Sequence, residues 1–279
     1  MNCIVCCIFN QSEYINMFFL LLKSLLLYGK LNNNIDILVY TSTPFMNIIK
    51  KNSLYNKNIV FEINDTYDTI DKACKARLDI FNFKSISNYN KILYLDTDII
   101  VKGDINKVFN VCSDNILYVL EEGTIHCNSD YWGKSLFGNT IHKYKDKSAF
   151  SSGILLFKNC IEMNSLFNMI NKSILTRPHF FHDQPHIVYN AFKYNLFNNK
   201  LLKSFCINNN YNTISNIVIH HFPGGPGVYE HKIKNMNKFL TYIHYTYLFA
   251  FVIFCIFMLC IIYIWFFNRG IKLMNIYRF

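Results

Sequence analysis

Asp96 and Asp98 stand one residue apart between two apolar runs, Ile92-Leu93-Tyr94-Leu95 and Ile99-Ile100-Val101. A buried strand hands its last residues to the sheet edge, where ligands dock. Two carboxylates delivered there converge on one hard cation, Mg2+ or Mn2+, which in turn bridges a diphosphate. A bare Asp-x-Asp also arises in solvated turns. This one lies inside a hydrophobic stretch, where two acids cost several kcal/mol unless a cation compensates them.

A second set follows another strand-like run, Ile217–Ile219: His220-His221-Phe222-Pro223-Gly224-Gly225-Pro226-Gly227. A neutral imidazole at a strand end completes a metal shell. Glycines let backbone N–H groups approach phosphate oxygens, and Lys232 neutralises the same diphosphate. Alone, a Gly/Pro run is more often a loop and a single His more often structural. Together with Asp96 and Asp98 the combination is far rarer. Phe150-Ser151-Ser152-Gly153 opens an apolar strand, and His182-Asp183-Gln184 begins a helix-like stretch. Aspartate at a helix start can simply cap it, whereas a carboxylate beside an amide also suits the diol edges of a sugar.

The elements that position these residues alternate. Cys3–Phe9 reads as a buried strand, with no basic segment or cleavage site of a signal peptide. Phe18, Leu21, Leu22 and Leu25 recur at helical spacing. Ile35–Tyr40 is a strand, Thr43-Pro44 an N-cap and first helical turn, and Ile59–Ile63 a third strand. Ala73, Ala76, Ile80 and Phe83 mark one helix face, and Ile92–Leu95 is the fourth strand. Later strand candidates are 116–120, 154–157 and 217–221. Asn32-Asn33-Asn34 and Asn208-Asn209-Asn210 read as loops. Alternation of this kind predicts an α/β fold, a mostly parallel sheet with helices on both faces.

The chain has 279 residues, 52% of them hydrophobic, so it folds around a sizeable core. The formal net charge of +10 suits an anionic ligand or membrane surface. Its lysines and arginines are scattered, with no basic-aromatic repeat, so no nucleic acid is expected. The ten cysteines show no metal-ligand spacing beyond Cys3-x-x-Cys6, a pair inside an apolar run, and read as free thiols of a reducing compartment. From about Tyr245 to Phe267 an uncharged apolar and aromatic run is long enough to span a bilayer, with Tyr245, Tyr247, Tyr263 and Trp265 as interfacial belts. Lys232, Lys234 and Lys238 precede it, and Arg269, Lys272 and Arg278 follow it, so flanking charge does not orient it. Asn10, Asn64 and Asn171 begin glycosylation sequons, and a glycan on Asn10 would obstruct the ligand edge. A single-pass C-terminal anchor with a cytosolic catalytic domain is therefore expected. The expected division is a catalytic domain over 1–238 (nucleotide-binding part about 1–105, sugar and acceptor part about 106–238), an anchor over 239–268 and a short basic tail over 269–279.

In motif order over roughly 3–235 the chain resembles glycosyltransferase family eight, the glycogenin and bacterial galactosyltransferase group. The resemblance implies a GT-A (Rossmann-like) fold and a retaining, UDP-sugar-dependent hexosyltransferase using Mn2+ or Mg2+. It likens Asn10 and Tyr14 to the uridine-binding start, and Arg77 to a basic residue near the donor. Asp96, Asp98 and His221 match the metal ligands, with His220 as the rival of His221. Ser151, Ser152 and Gly153 resemble the segment that contacts the sugar, with Ser151 where the family has Asn. Asp183 and Gln184 match the pair beside the reacting carbon, and Gly224 and Lys232 the diphosphate loop. The partners implied are a UDP-sugar, an acceptor that is a protein, a glycan or a lipid, and, for self-glycosylation of the glycogenin kind, a second copy of the chain. Two rivals compete: an inactive membrane-tethered scaffold, and a sugar nucleotidyltransferase. The latter needs a Gly-rich basic loop after the first strand, where this chain has Asn10-Gln11-Ser12-Glu13-Tyr14.

Overall fold

The computed structural model describes residues 1–276 except 145, 210–214 and 225–227, with side chains described as far as residue 266. Asn210, Gly225, Pro226, Gly227 and Arg278 thus lie outside the described residues, as do the side chains of Phe267, Arg269 and Lys272.

The first half alternates β1 (Asn2–Ile8), α1 (Ser12–Tyr28), β2 (Ile35–Thr41), α2 (Thr43–Lys51), β3 (Ile59–Ile63), α3 (Ile70–Lys75) and β4 (Lys91–Leu95). Then come β5 (Ile99–Val101), α4 (Asn106–Val111), β6 (Leu117–Thr124), α5 (Lys134–Phe137), β7 (Ser148–Lys158), α6 (Ile161–Thr176) and α7 (Gln184–Tyr194). The chain ends with β8 (Phe197–Asn198), β9 (Cys206–Asn208), β10 (Ile219–His221) and the long α8 (Tyr229–Ile276). The main sheet has the order β3-β2-β1-β4-β7-β6-β8, in which β7 runs against the rest.

β1 is apolar on both faces, as a strand in the middle of a parallel sheet must be. Ile4, Cys6 and Ile8 join a core under α1, while Cys3 and Val5 join a second core under α6 and α7. Cys3 and Cys6 therefore point to opposite faces, both fully buried, and every cysteine is a free thiol. Helices on both faces of a mostly parallel sheet are what the alternation predicts.

Three local expectations are corrected. Thr43 is not the cap of α2 but its first residue. Its N–H donates to the Asp65 carboxylate at 2.7 Å, so the cap comes from the far end of β3 rather than from a neighbouring side chain. The helix face over Ala73–Phe83 is broken: α3 ends at Lys75, and Ala76–Asn82 tightens into a 3-10 helix that buries Ala76, Leu78 and Ile80. Asn208 belongs to a strand rather than a loop, because β9 pairs with β10.

α8 begins beside the start of α1, where the Tyr14 and Tyr229 rings meet edge-on at 5.4 Å. The two helices then run side by side, burying Met17, Met236, Phe239, Leu240 and Ile243. They part where Tyr28 stacks on Tyr247 at 5.1 Å. The boundary drawn at residue 238 thus falls within one continuous helix. Beyond Tyr247 α8 stands clear of the domain: its most apolar 18-residue window has a mean hydropathy of 2.9 and is 0% buried. It is one long apolar C-terminal helix, a candidate membrane span by length and composition.

Candidate active site

β4 and β5 are nearly one strand, interrupted by Asp96-Thr97-Asp98 at the carboxyl edge of the sheet. β5 leaves the main sheet to pair with β10, antiparallel, with His221 opposite Ile99. That register sets His221 beside Asp98, with the imidazole Nε2 3.3 Å from Asp98 Oδ1. Each of Asp96, Asp98 and His221 offers one ligand atom, and the three lie within 4.8 Å of one another. His220, next along the strand, packs its ring on Phe239 at 4.6 Å instead. Strand alternation sends one histidine to the site and the other to the α8 packing.

β7 supplies the floor. It starts at Ser148, so Ser151-Ser152-Gly153 lies inside the strand rather than opening it, at a bulge where the β6 pairing slips between Val119 and Leu120. A Cβ on Gly153 would come within 2.5 Å of His221 Cε1 and 3.0 Å of Asp96 Oδ2. Only a residue without a side chain leaves room for this cluster.

Asp98 is buried. Burial pushes its pKa up, but His221 and Lys232 outweigh this and hold it well below the carboxylate range. Lys232, in the first turns of α8, reaches Asp98 Oδ2 and the Gly224 carbonyl, each at 2.7 Å. For His221, burial works against the charged form, but Asp98 raises the pKa above the ordinary histidine value. The Nδ1 of His221 faces Asn208 Oδ1 at 2.9 Å. A carbonyl oxygen only accepts, so Nδ1 carries the proton of that bond and Nε2 is the ligand atom. Two hard oxygens, an imidazole and a buried Asp98 Oδ1 without a hydrogen bond fit Mn2+ or Mg2+ by donor chemistry.

Arg77, on the 3-10 helix, ties this cluster to the second one. Its guanidinium lies 3.2 Å from Asp96 Oδ1 and 2.9 Å from Asp183 Oδ2, donates to the Ser152 carbonyl at 2.7 Å, and covers the Tyr94 ring. Tyr94 donates its hydroxyl to Asp96 at 2.5 Å. Asp183 occupies the cap position of α7 yet makes no capping hydrogen bond; its carboxylate turns to Arg77. Burial raises the Asp183 pKa, with Arg77 opposing. Gln184 Oε1 accepts from the Ser152 hydroxyl at 3.0 Å, and its buried amide nitrogen has no hydrogen-bond partner.

The structure thus gathers Asp96, Asp98, His221, Lys232, Gly224, Ser151, Ser152, Gly153, Arg77, Asp183 and Gln184 around one edge. Asn10 and Tyr14 stand at its margin, where β1 ends. Asn10 donates to the Asp68 carbonyl at 2.5 Å, and the Tyr14 ring packs on Tyr229. Sequence reasoning missed Asn208, Tyr94 and Glu122. Glu122 lies near His221, Ser151 and Asn208, and burial raises its pKa. It comes two residues after the apolar run Ile116–Leu120, behind Glu121, and that pair of acids is the signal that could have flagged it. Asn208 carries no such signal, because its place depends on the pairing of β9 with β10.

Comparison with known proteins agrees with this geometry. The family described as Glycosyl transferase family 8 matches residues 30–249. No curated protein matches significantly. Among solved structures, the WbbM bifunctional glycosyltransferase shares 17% identity at a TM-score of 0.60, over 87% of this chain and 51% of that one. This chain therefore spans about half of that protein. The galactosyltransferase LgtC, solved with donor and acceptor sugar analogs, shares 15% identity at a TM-score of 0.60, over 86% of this chain and 95% of that one. Mouse xyloside xylosyltransferase 1 shares 12% at 0.55, over 79% and 97%. The fold common to them is GT-A.

Proposed function

Because the chain belongs to glycosyltransferase family 8, we propose that it transfers a hexose from a UDP-sugar to an acceptor with retention at the anomeric carbon. The observation that carries this reading is the Arg77 bridge, which makes the Asp96/Asp98/His221 cluster and the Asp183-Gln184 pair one electrostatic unit. Asp96, Asp98 and His221 Nε2 would hold Mn2+ or Mg2+, which when bound supplies Lewis-acid stabilisation of the departing UDP.

The remaining roles belong to the chain. Lys232 adds a second positive charge on the leaving diphosphate beside the Gly224 backbone. Asn10 and Tyr14 border the base, and Ser151, Ser152 and Gly153 line the sugar. Arg77 fixes the Asp183 carboxylate so that it faces the positive charge developing on the ring without reorganising. Ser152 holds Gln184 by its carbonyl, which fixes the amide beside Asp183 at the sugar. The apolar part of α8 anchors the domain to a membrane, with the site on the cytosolic side as the free cysteines suggest.

One observation favours a second reading, an inactive scaffold: Lys232 already sits on Asp98 and compensates its charge. A single experiment separates the two. The full chain in detergent, given Mn2+ and a panel of UDP-sugars, is read by mass spectrometry for UDP release, transfer and self-glycosylation. Mn2+-dependent turnover supports the enzyme; its absence together with no UDP binding sinks it.

A further inference from the structure

The edge of the sheet opposite the active site carries apolar surface that the fold leaves bare. α1 crosses back from the carboxyl edge and ends there, and α2 ends there before β3 begins. α1 has apolar residues all round. Leu21, Leu22 and Leu25 pack on the sheet, and Met17, Leu20 and Tyr28 pack towards α8. Leu26 and Leu27 turn away from both, 41% and 56% exposed. With Leu54 and Tyr55 of the loop between α2 and β3 they line a cleft of about 520 Å3, and Lys30 and Lys57 stand on its walls. A lone exposed leucine needs no explanation, whereas adjacent leucines at the rim of an apolar cleft mark a surface that meets something.

The height of this patch along α8 decides what meets it. Tyr28, next to Leu27 in the chain, stacks on Tyr247 at 5.1 Å, and the Tyr247 hydroxyl donates to the Lys102 carbonyl at 3.0 Å. The hydrocarbon of a bilayer takes about 20 helical residues; counted back from Phe267, which precedes Asn268 and Arg269, that stretch begins at about Leu248. The hydrocarbon boundary therefore falls at the level where α1 ends, and a headgroup layer about 6 Å deep falls on Leu26, Leu27 and the cleft. The charge there has the matching sign. The Asn106 side chain donates to the Lys30 carbonyl at 3.2 Å, which sets Lys107 at the same edge. Lys30, Lys57 and Lys107 are exposed, and among the described residues no carboxylate forms an ion pair with any of them. Asp104 is the acid near Lys30 and Lys107, and it already accepts from the Asn106 amide at 2.8 Å.

Resting on the anchor reading above, we propose that this edge is a docking surface for an anionic phospholipid bilayer, with Leu26, Leu27 and Tyr55 set among the headgroups and Lys30 and Lys57 on lipid phosphates. The domain is then seated on the membrane at a second point rather than hanging from α8 alone. The occupant is lipid because the span itself brings the bilayer to this edge. Leucine side chains reach the upper acyl chains, lysines keep their ammonium groups at phosphate depth, and a tyrosine suits the boundary between the two.

The test uses the full chain reconstituted into vesicles of phosphatidylcholine with one part in three of phosphatidylserine. Leu27→p-benzoylphenylalanine, irradiated, forms a phospholipid adduct seen by mass spectrometry. The same replacement of Phe180, 85% exposed beside Asp183 at the far edge, forms none. Lys30→Gln and Lys57→Gln, added to the Leu27 variant, each weaken docking about fivefold as read from the adduct yield, the worth of one basic residue at an anionic surface. Vesicles of phosphatidylcholine alone also lower the yield. No adduct at residue 27, in a chain that stays with the vesicles through carbonate extraction, overturns the docking surface and leaves the anchor standing. So does an equal adduct at residue 180, or a yield that neither the lysine substitutions nor the lipid composition changes. Release of the chain by carbonate strikes the anchor reading itself.

Discussion

Gly153→Ala is the sharpest probe of the metal-type cluster, because one added carbon tests two of its three ligands at once. The new Cβ would stand 2.5 Å from His221 Cε1, 2.8 Å from His221 Nε2 and 3.0 Å from Asp96 Oδ2. Ordinary carbon contacts are at about 3.5 Å or more, so the imidazole has to retreat by about 1 Å. It is not free to do so: Asn208 holds Nδ1 and Asp98 faces Nε2. Metal–ligand distances tolerate only about 0.2 Å, and a misplacement of about 1 Å costs about a hundredfold in rate. Stability falls by only about 1–3 kcal/mol, the usual cost of overpacking. The assay is Mn2+ binding by calorimetry alongside UDP-sugar turnover, with Gly103→Ala as the control. At Gly103 the nearest atom to an added Cβ is Val218 Cγ2 at an ordinary 3.7 Å, so that variant behaves as wild type. Wild-type Mn2+ affinity and turnover in Gly153→Ala would refute the placement of His221 and Asp96 on one ion.

Three further outcomes follow from the same geometry. Asp98→Asn abolishes turnover, by more than about a thousandfold, while far-UV circular dichroism stays native. Asn208→Ala frees the His221 ring to turn and weakens Mn2+ binding about 10- to 100-fold by calorimetry. His186 is buried and its pKa is lowered from 6.5 to about 4, first by burial and then by His179 and Arg177. Its unfolded form takes up a proton below about pH 6.5 that the folded form refuses. Stability is therefore full above that pH and is lost as pH falls towards about 4, by up to about 3 kcal/mol. Denaturant melts of the full chain in detergent show this slope, and His186→Gln removes it.

The sequence exposes features that depend on neighbours along the chain and hides those that depend on pairing. β1 and β4 are legible because strands buried on both faces are continuous apolar runs, and that made the acids at the end of β4 conspicuous. The placement of His221 over His220 followed from a resemblance; strand alternation and the register with Ile99 supply the physical reason. Asn208, the Asp65 cap of α2 and the slip that draws Ser151-Ser152-Gly153 into β7 arise from contacts between distant segments. Arg77 lay on an expected helix face, but only the tightened turn over Ala76–Asn82 lets one guanidinium meet Asp96, Asp183 and Ser152.

The side-by-side run of α1 and α8 has a consequence for reach. α8 starts at the carboxyl edge of the sheet, where Lys232 touches Asp98, and leaves the domain at the opposite edge, where Tyr28 stacks on Tyr247. Eighteen residues of helix separate Tyr229 from Tyr247, about 27 Å. With the span in a bilayer, the catalytic mouth stands that far above the surface and opens away from it. Headgroups extend only about 6 Å from each hydrocarbon face. A sugar sitting among them would end about 20 Å short, so in an enzyme anchored this way height alone would screen acceptors: those that project from the membrane or arrive from solution would be within reach, and those lying flat on it would not.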